Sequence, residues 1–83
     1  MDFDKSIHRI IEKDFVKEER DFVIQELNSI TPEHVMAQSE TNLYNTRVSI
    51  LKLSKGNRNQ VREYAKCARV DFRDVIYWAD LES

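Results

Sequence analysis

The shortage of residues that interrupt a helix constrains the possible folds of this chain more than any other feature of its sequence. Its 83 residues include one glycine, Gly56, and one proline, Pro32. Sharp turns that use the backbone freedom of glycine or the fixed φ of proline are therefore few. Residue types that tolerate helix, such as Glu, Lys, Arg, Leu and Ile, are abundant instead. The composition predicts helices joined by short connections.

The length of the chain limits the size of its core. A chain of 83 residues buries only about 60 to 65% of the surface that its unfolded form exposes, which leaves room for one core. A hydrophobic fraction of 41% and a charged fraction of 34% are typical of a globular protein with a charged exterior. We expect residues 1–83 to form a single all-α domain, a compact bundle of about five short helices.

Apolar residues of the N-terminal part recur at helical spacing in two places, residues 3–15 and 22–30. The sequence KEERD between them is fully charged. Two amphipathic helices fit this pattern, and so does one long helix that bends near residues 14–17.

Capping residues indicate where the next helices begin. In the segment ITPEHV, residues 30–35, Thr31 can cap a helix and Pro32 occupies its first position. This is the clearest helix start in the sequence. In the polar stretch that follows, Ser39 or Thr41 can cap another helix.

Similar signals divide the C-terminal half. The segment LYNTRVSILKLSK predicts a helix that ends at Lys55, because Gly56 follows and glycine commonly succeeds the last helical residue. Asn57 can cap the next helix, and Asp71 can cap a last one over residues 72–79.

Charge is divided unevenly between the two halves of the chain. Residues 1–40 contain ten acids and five bases, a net charge of −5, whereas residues 41–83 contain eight bases and five acids, a net charge of +3. The total of −2 therefore conceals a dipolar molecule.

A basic stripe is the strongest functional signal in the sequence. Four cations recur at steps of four, four and three residues, which places them along one side of a helix: Arg58, Arg62, Lys66 and Arg69. Lys55 and Arg73 can extend this stripe. One interpretation is a solvated face paired with the acidic N-terminal half, in the same molecule or in a second copy. The other is the binding of an anionic partner, either nucleic acid or an acidic protein.

The segment VREYAKCARVDFRDVIYWADL has the spacing of a helix-turn-helix, with Ala65 where the two helices approach closely. Two features disfavour DNA binding. Arg69 stands where such turns usually have glycine, and Asp71 and Asp74 would lie near phosphates and be repelled. A helix-turn-helix-like pair at the C-terminus that binds nucleic acid is therefore the alternative interpretation.

The aromatic residues of this segment have two interpretations. They can stack on the bases of a single strand, or they can pack in the core and against a protein partner. Phe72 and Tyr77 suit a protein contact or a core wall. Trp78 shares a helix face with Val75, which favours its burial.

Catalytic and metal-binding constellations are not indicated. His8 and Glu12 share a helix face, but no third ligand follows at a suitable spacing. Cys67 lacks an evident base and has apolar neighbours, so we expect a half-buried structural thiol; a thiol-dependent enzyme or sensor is the third alternative. The sequence therefore predicts a non-enzymatic protein with no cofactor, no metal and no identifiable small-molecule substrate.

Cellular location is predicted from what the sequence lacks. Cys67 is the single cysteine, so an internal disulfide has no second thiol, and a reducing compartment fits this. The start MDFDKSIHRII does not have the charge pattern and apolar stretch of a signal peptide. No stretch approaches the roughly 18 apolar residues of a membrane span. We expect a cytoplasmic protein.

The stretches NLYNTRVSILKLSKGN and ARVDFRDVIYWA resemble those of a group of small, uncharacterised bacterial helical proteins. The resemblance covers about the last half of the chain. It implies a bacterial helical domain, and it carries over no activity and no functional residue.

Together these patterns predict a non-enzymatic interaction module that holds a protein partner or a second copy of itself. The stripe would steer the partner and exposed apolar residues near its end would anchor it. The predicted binding residues are Arg58, Arg62, Lys66, Arg69, Phe72, Arg73 and Tyr77.

Overall fold

The computed structural model describes residues 3–35 and 39–82, and these ranges contain helices and no β-strand. The all-α prediction is confirmed, with four α-helices in place of the expected five helical segments. They are α1, Phe3–Asp14; α2, Lys17–Asn28; α3, Glu40–Ser54; and α4, Arg58–Leu81. None of these helices is long and apolar enough to cross a lipid bilayer.

The N-terminal part forms two helices, not one bent helix. The backbone is extended at Val16, which precedes α2. Arg20 joins the two helices, because its guanidinium donates hydrogen bonds to the carbonyl oxygens of Phe15 and Glu12, both at 3.1 Å. These carbonyls lie at the C-terminal end of α1, where a helix has acceptors without intrahelical donors. Arg20 therefore closes α1 and fixes the start of α2 beside it.

The α-helix predicted to start within residues 30–35 does not form. These residues form only a single 3₁₀ turn, Pro32–His34. The ring Nδ1 of His34 accepts a hydrogen bond from the backbone N–H of Thr31 at 3.0 Å, so the expected capping position does close this turn. Val35 then takes an extended backbone conformation and is buried. The extended backbone of Val35 therefore ends the turn where local capping signals predict a continuing helix. Residues 36–38 lie outside the described ranges.

The caps predicted around α3 and α4 are confirmed. The Ser39 hydroxyl accepts the backbone N–H of Asn42 at 3.3 Å, and the side-chain oxygen of Asn57 accepts the backbone N–H groups of Asn59 and Gln60. Between the two helices, Lys55 and Gly56 both have positive φ, 50° and 81°. α3 therefore ends in a left-handed turn that reverses the chain into α4.

α4 has a corner at Asp71, where the backbone is extended with φ −153° and ψ 101°. We call residues 58–70 the first arm and residues 72–81 the second arm. A straight helix of 24 residues would be about 36 Å long. Instead Lys55, before α4, forms an ion pair with Glu82, after it, with 3.4 Å between Nζ and Oε2. The second arm must therefore fold back along the first.

This corner lies where the sequence predicted a helix boundary. The first and second arms are helical on either side of the single extended residue Asp71, and we describe them together as α4. The side-chain oxygen of Asp71 accepts the backbone N–H of Arg73 at 3.1 Å, as an N-cap does. A helix-turn-helix-like pair is not confirmed by this arrangement.

The core lies between all four helices. Its most deeply buried residues include Ile11, Val23, Leu27, Ile30, Ile50, Leu51, Val61, Ala65, Ala68 and Val75. Ala65 and Ala68 have small side chains, which allow the neighbours of the first arm to approach closely. The buried hydroxyls of Thr46 and Ser54 donate to the carbonyl oxygens of Asn42 and Ile50, at 2.7 and 2.6 Å, so they carry no unsatisfied hydrogen-bonding group into the core.

Gly56 is expected to tolerate no side chain. A Cβ atom at this position would lie 2.9 Å from the backbone oxygen of Asp14, and the positive φ of Gly56 disfavours any other residue. We predict that Gly56→Ala destabilises the fold by about 1 to 3 kcal/mol, measured by urea unfolding. Asn59→Ala, at an exposed position of α4, is the control and should change stability by less than about 0.5 kcal/mol. Equal stability of the two variants would show that the turn is not packed against α1.

Candidate interaction surface

The four cations of the predicted stripe lie on the first arm of α4, beside α2. Arg58 meets the start of α2: its Nε lies 3.4 Å from a carboxylate oxygen of Glu19, and its guanidinium carbon lies 5.9 Å from the centre of the Phe22 ring. Arg69, about three helical turns further along, meets Ser29 just after the end of α2. The first arm and α2 therefore run side by side in the same direction.

Arg69 is half-buried and serves the fold. Its Nη1 donates to the Ser29 hydroxyl at 2.5 Å, and that hydroxyl donates to the carbonyl oxygen of Glu26 at 2.5 Å. The cation thus reaches the carbonyl end of α2 through one hydroxyl, where positive charge is favourable. This bond engages one guanidinium nitrogen of Arg69 within the molecule, and the role of Arg69 in partner binding stays a prediction.

Arg58 is also engaged within the molecule. Its side chain is about half exposed, and its ion pair with Glu19 is of the surface kind that contributes at most about 1 kcal/mol. This pair confirms in part the alternative that the acidic N-terminal half neutralises the stripe. Of the four cations, the two at the ends of the stripe therefore contact α2 or the residue after it.

Arg62 and Lys66 differ from these two. Both side chains are exposed, and neither has an ion pair or hydrogen bond with any residue in the described part of the chain. They are four residues apart, so they share a helix face, and Val70 continues the same spacing with 87% of its surface exposed. The part of the stripe that has no partner within the described residues therefore consists of Arg62 and Lys66. The apolar side chain of Val70 lies next to them on the same helix face.

The anchor predicted at Phe72 is wrong, and the one at Tyr77 remains a prediction. Phe72 is only 9% exposed, because it begins the second arm on the same side as buried Val75 and Ala79. Tyr77, on the opposite side, is 62% exposed, and Leu81 one turn further along is 66% exposed. The spacing of Phe72 to Val75 and Ala79, three and seven residues, is a core signal that was present in the sequence.

Trp78 is at the boundary between the two arms. Its ring centroid lies 6.3 Å from that of Tyr64 in a tilted arrangement, and 37% of its surface is exposed. The prediction that Trp78 is buried is therefore wrong. Because the two arms fold back on each other, Trp78 contacts Tyr64 of the first arm and remains partly in solvent.

Arg73 does not extend the stripe. Its guanidinium forms two hydrogen bonds with the carboxylate of Asp71, at 3.0 and 3.1 Å, across the corner of α4. These side-chain hydrogen bonds are the main cause that lowers the pKa of Asp71 below its ordinary value, and the hydrogen bond from the backbone N–H of Arg73 is the second. The same pairing raises the pKa of Arg73. Arg73 is therefore neutralised by the carboxylate of the corner residue Asp71.

Cys67 is exposed, and the expectation of a half-buried thiol is wrong. The helix turns this residue away from the core because buried Ala65 and Ala68 lie on the other side of the first arm. Its apolar sequence neighbours, which suggested burial, point in other directions.

No group of three or more His, Cys, Asp or Glu side chains that could hold a metal ion occurs among the residues that the structure describes. A cleft of about 150 Å³ lies between α1, α2 and α3, with Ile7, Ile11 and Leu27 in its lining. Arg47, also in the lining, donates hydrogen bonds to the carbonyl oxygens of Leu27 and Ile30, at 3.1 and 2.9 Å. The closing of α2 by Arg47 was not predictable from the sequence pattern, because its hydrogen-bond partners lie far away in sequence.

Comparison with known proteins adds no relative. No protein-family model matches the chain, and no match was found among curated proteins or solved structures. The resemblance to small bacterial helical proteins therefore stays a prediction.

The different environments of Arg69 and Lys66 predict different effects of the same substitution. We expect Arg69→Met to destabilise the fold by about 1 to 3 kcal/mol, because it removes a charged donor from a half-buried hydroxyl. Lys66→Met removes the same charge from an exposed position and should change stability by less than about 0.5 kcal/mol. Urea unfolding of both variants at pH 7 measures the difference. A larger loss for Lys66→Met would contradict the assignment of Arg69 to the fold.

Proposed function

We propose that this domain is a non-enzymatic protein-interaction module and that its docking surface is the outer face of α4. We define the outer face as Arg62, Lys66 and Val70 on the first arm and Tyr77 and Leu81 on the second. The observation that supports the proposal is the exposure of all five side chains, which the packing of the two arms against the core leaves in solvent.

The chemistry of this face suits protein docking. Tyrosine and arginine are the residue types most enriched, with tryptophan, among those that dominate binding energy at protein interfaces. Exposed apolar side chains near one another mark interaction sites more often than single scattered ones do. The two cations would steer an acidic partner, while Tyr77, Leu81 and Val70 would be desolvated on contact.

A cytoplasmic location is part of this proposal. Cys67 is exposed close to the outer face, and an exposed thiol persists in its reduced form in a reducing compartment.

Nucleic-acid binding through a helix-turn-helix-like C-terminal pair is the alternative proposal. Arg62 and Lys66 favour it as exposed cations, but Asp74 and Asp80 on the second arm are exposed too and would be repelled by phosphates. Titration of a labelled duplex at low salt, followed by fluorescence anisotropy, separates the alternatives. Binding that weakens steeply with salt would replace protein docking by this function.

The main test of the proposed function is charge reversal on the outer face. We predict that Arg62→Glu combined with Lys66→Glu abolishes most retention of protein partners by the immobilised domain, because both steering cations become repulsive. Retained proteins from a cell lysate, and a second tagged copy of the chain, are measured together.

The matched control is Lys13→Glu combined with Lys17→Glu, which changes the net charge by the same amount at exposed positions of α1 and α2. Retention by the control should equal that of the original chain, and thermal unfolding should show that both variants are folded. If both variants retain the same proteins as the original chain, the outer face is not a docking surface.

A further inference from the structure

The outward side of the second arm is acidic as well as apolar. Asp74 and Asp80 are exposed, and neither carboxylate has an ion pair or hydrogen bond with another described residue. The hydrogen bonds with Asp71 are the main cause that raises the pKa of Arg73, and the charge of Asp74 makes a minor contribution. Arg73, the one base of this arm, is held by Asp71. Tyr77 and Leu81 thus lie on an arm whose remaining charge is negative.

The outward side of the first arm has the complementary character. Arg62 and Lys66 are exposed without a partner in the described ranges, and Val70 follows them at the same spacing. Glu63 is exposed on this arm too, so two cations face a single acid and the net charge remains positive. One helix therefore carries a basic surface and an acidic surface, each with exposed apolar side chains.

These two surfaces are not paired within one molecule. Ala65 and Ala68 of the first arm and Val75 and Ala79 of the second are buried, so both arms turn their opposite sides toward solvent. The contact between the arms instead involves Tyr64 and Trp78. Two surfaces that both face outward can meet only between molecules.

We propose that the partner of the outer face is a second copy of this chain. The first arm of each copy docks on the second arm of the other, so that Arg62 and Lys66 face Asp74 and Asp80 twice around a two-fold axis. This inference rests on the proposed function and names its partner. A two-fold arrangement uses one self-complementary surface on both copies and closes without leaving a surface for further addition.

A second copy fits better than an unrelated protein because it carries one acidic surface for the basic surface of the first copy, and one basic surface for the acidic surface. The acidic, apolar surface that the first arm requires is the second arm, and the converse also holds. The charged pairs remain near solvent, so salt screens them and the association weakens as ionic strength rises. The apolar contribution is limited to Val70, Tyr77 and Leu81 from each copy.

The test is a charge exchange between the two arms, followed by sedimentation velocity over a range of protein concentrations. The original chain should dimerise at low salt and dissociate progressively at high salt. Arg62→Glu with Lys66→Glu, and separately Asp74→Lys with Asp80→Lys, should each raise the dissociation constant by about tenfold or more, because like charges then face each other at both contacts.

An equimolar mixture of the two reversed variants should recover dimerisation. In the mixed dimer one contact pairs a reversed first arm with a reversed second arm, and the other contact pairs the two original arms. Both contacts are then attractive. A single chain with all four substitutions should also associate with itself. Lys13→Glu with Lys17→Glu is the control and should leave the dissociation constant unchanged.

The proposal is overturned if the original chain is monomeric at low salt at every concentration, or if the mixture of reversed variants stays monomeric. If the chain is monomeric while retention of other proteins still depends on Arg62 and Lys66, the docking function stands and only the identity of the partner fails. Should a reversed variant not fold, Lys66→Gln and Asp80→Asn provide the same comparison, since each weakens the dimer by removing one charge.

Discussion

The corner of α4 at Asp71 is the constraint on which the rest of the structure depends. A single extended residue interrupts the helix, and its carboxylate accepts both the backbone N–H and the guanidinium of Arg73. Without this corner the helix would project beyond the bundle. With it, Phe72 and Val75 enter the core and Glu82 returns to Lys55. A local cap therefore determines a long-range arrangement.

Arginine side chains hold the N-terminal helices in place at their carbonyl ends. Arg20 donates to the last carbonyls of α1, Arg47 does so at the end of α2, and Arg69 reaches the same end through Ser29. Arginine suits this task because its planar group presents several donors in fixed directions. Part of the charge asymmetry between the two halves of the chain is thus used inside the molecule, and net charge alone overstates the surface that remains for a partner.

Features that depend on residues close together in the sequence, such as helix caps, were predictable. The direction in which the second arm leaves the corner at Asp71 was not. The caps at Ser39 and Asn57 and the left-handed turn at Gly56 follow from local side-chain and backbone chemistry. The helix expected to start at residues 30–35 does not continue beyond one 3₁₀ turn, because Val35 is extended; local capping signals did not indicate this.

The candidate site was predictable only in part, because its helical spacing is local and its contacts with other helices are not. The spacing of the stripe places its four cations beside α2, but no sequence pattern indicates that α2 would engage Arg58 and Arg69 and leave Arg62 and Lys66 exposed. The spacing of Phe72 with Val75 and Ala79 already indicated its burial, whereas the exposure of Trp78 depends on how the second arm folds back at Asp71. Helical periodicity describes each arm separately, and it does not give the angle between them.

The requirements of folding do not explain the apolar side chains on the outward side of α4. The core side of the second arm is complete with Phe72, Val75 and Ala79, and the arm is joined to its surroundings at the corner and through the ion pair of Lys55 with Glu82. Tyr77 and Leu81 contribute little to this packing, since most of their surface stays in water, where polar residues would serve equally well. Covering such side chains with another surface is favourable, because it removes their apolar area from water. The fold therefore accounts for the inner side of α4, and the proposed docking of a second copy would account for the outer side.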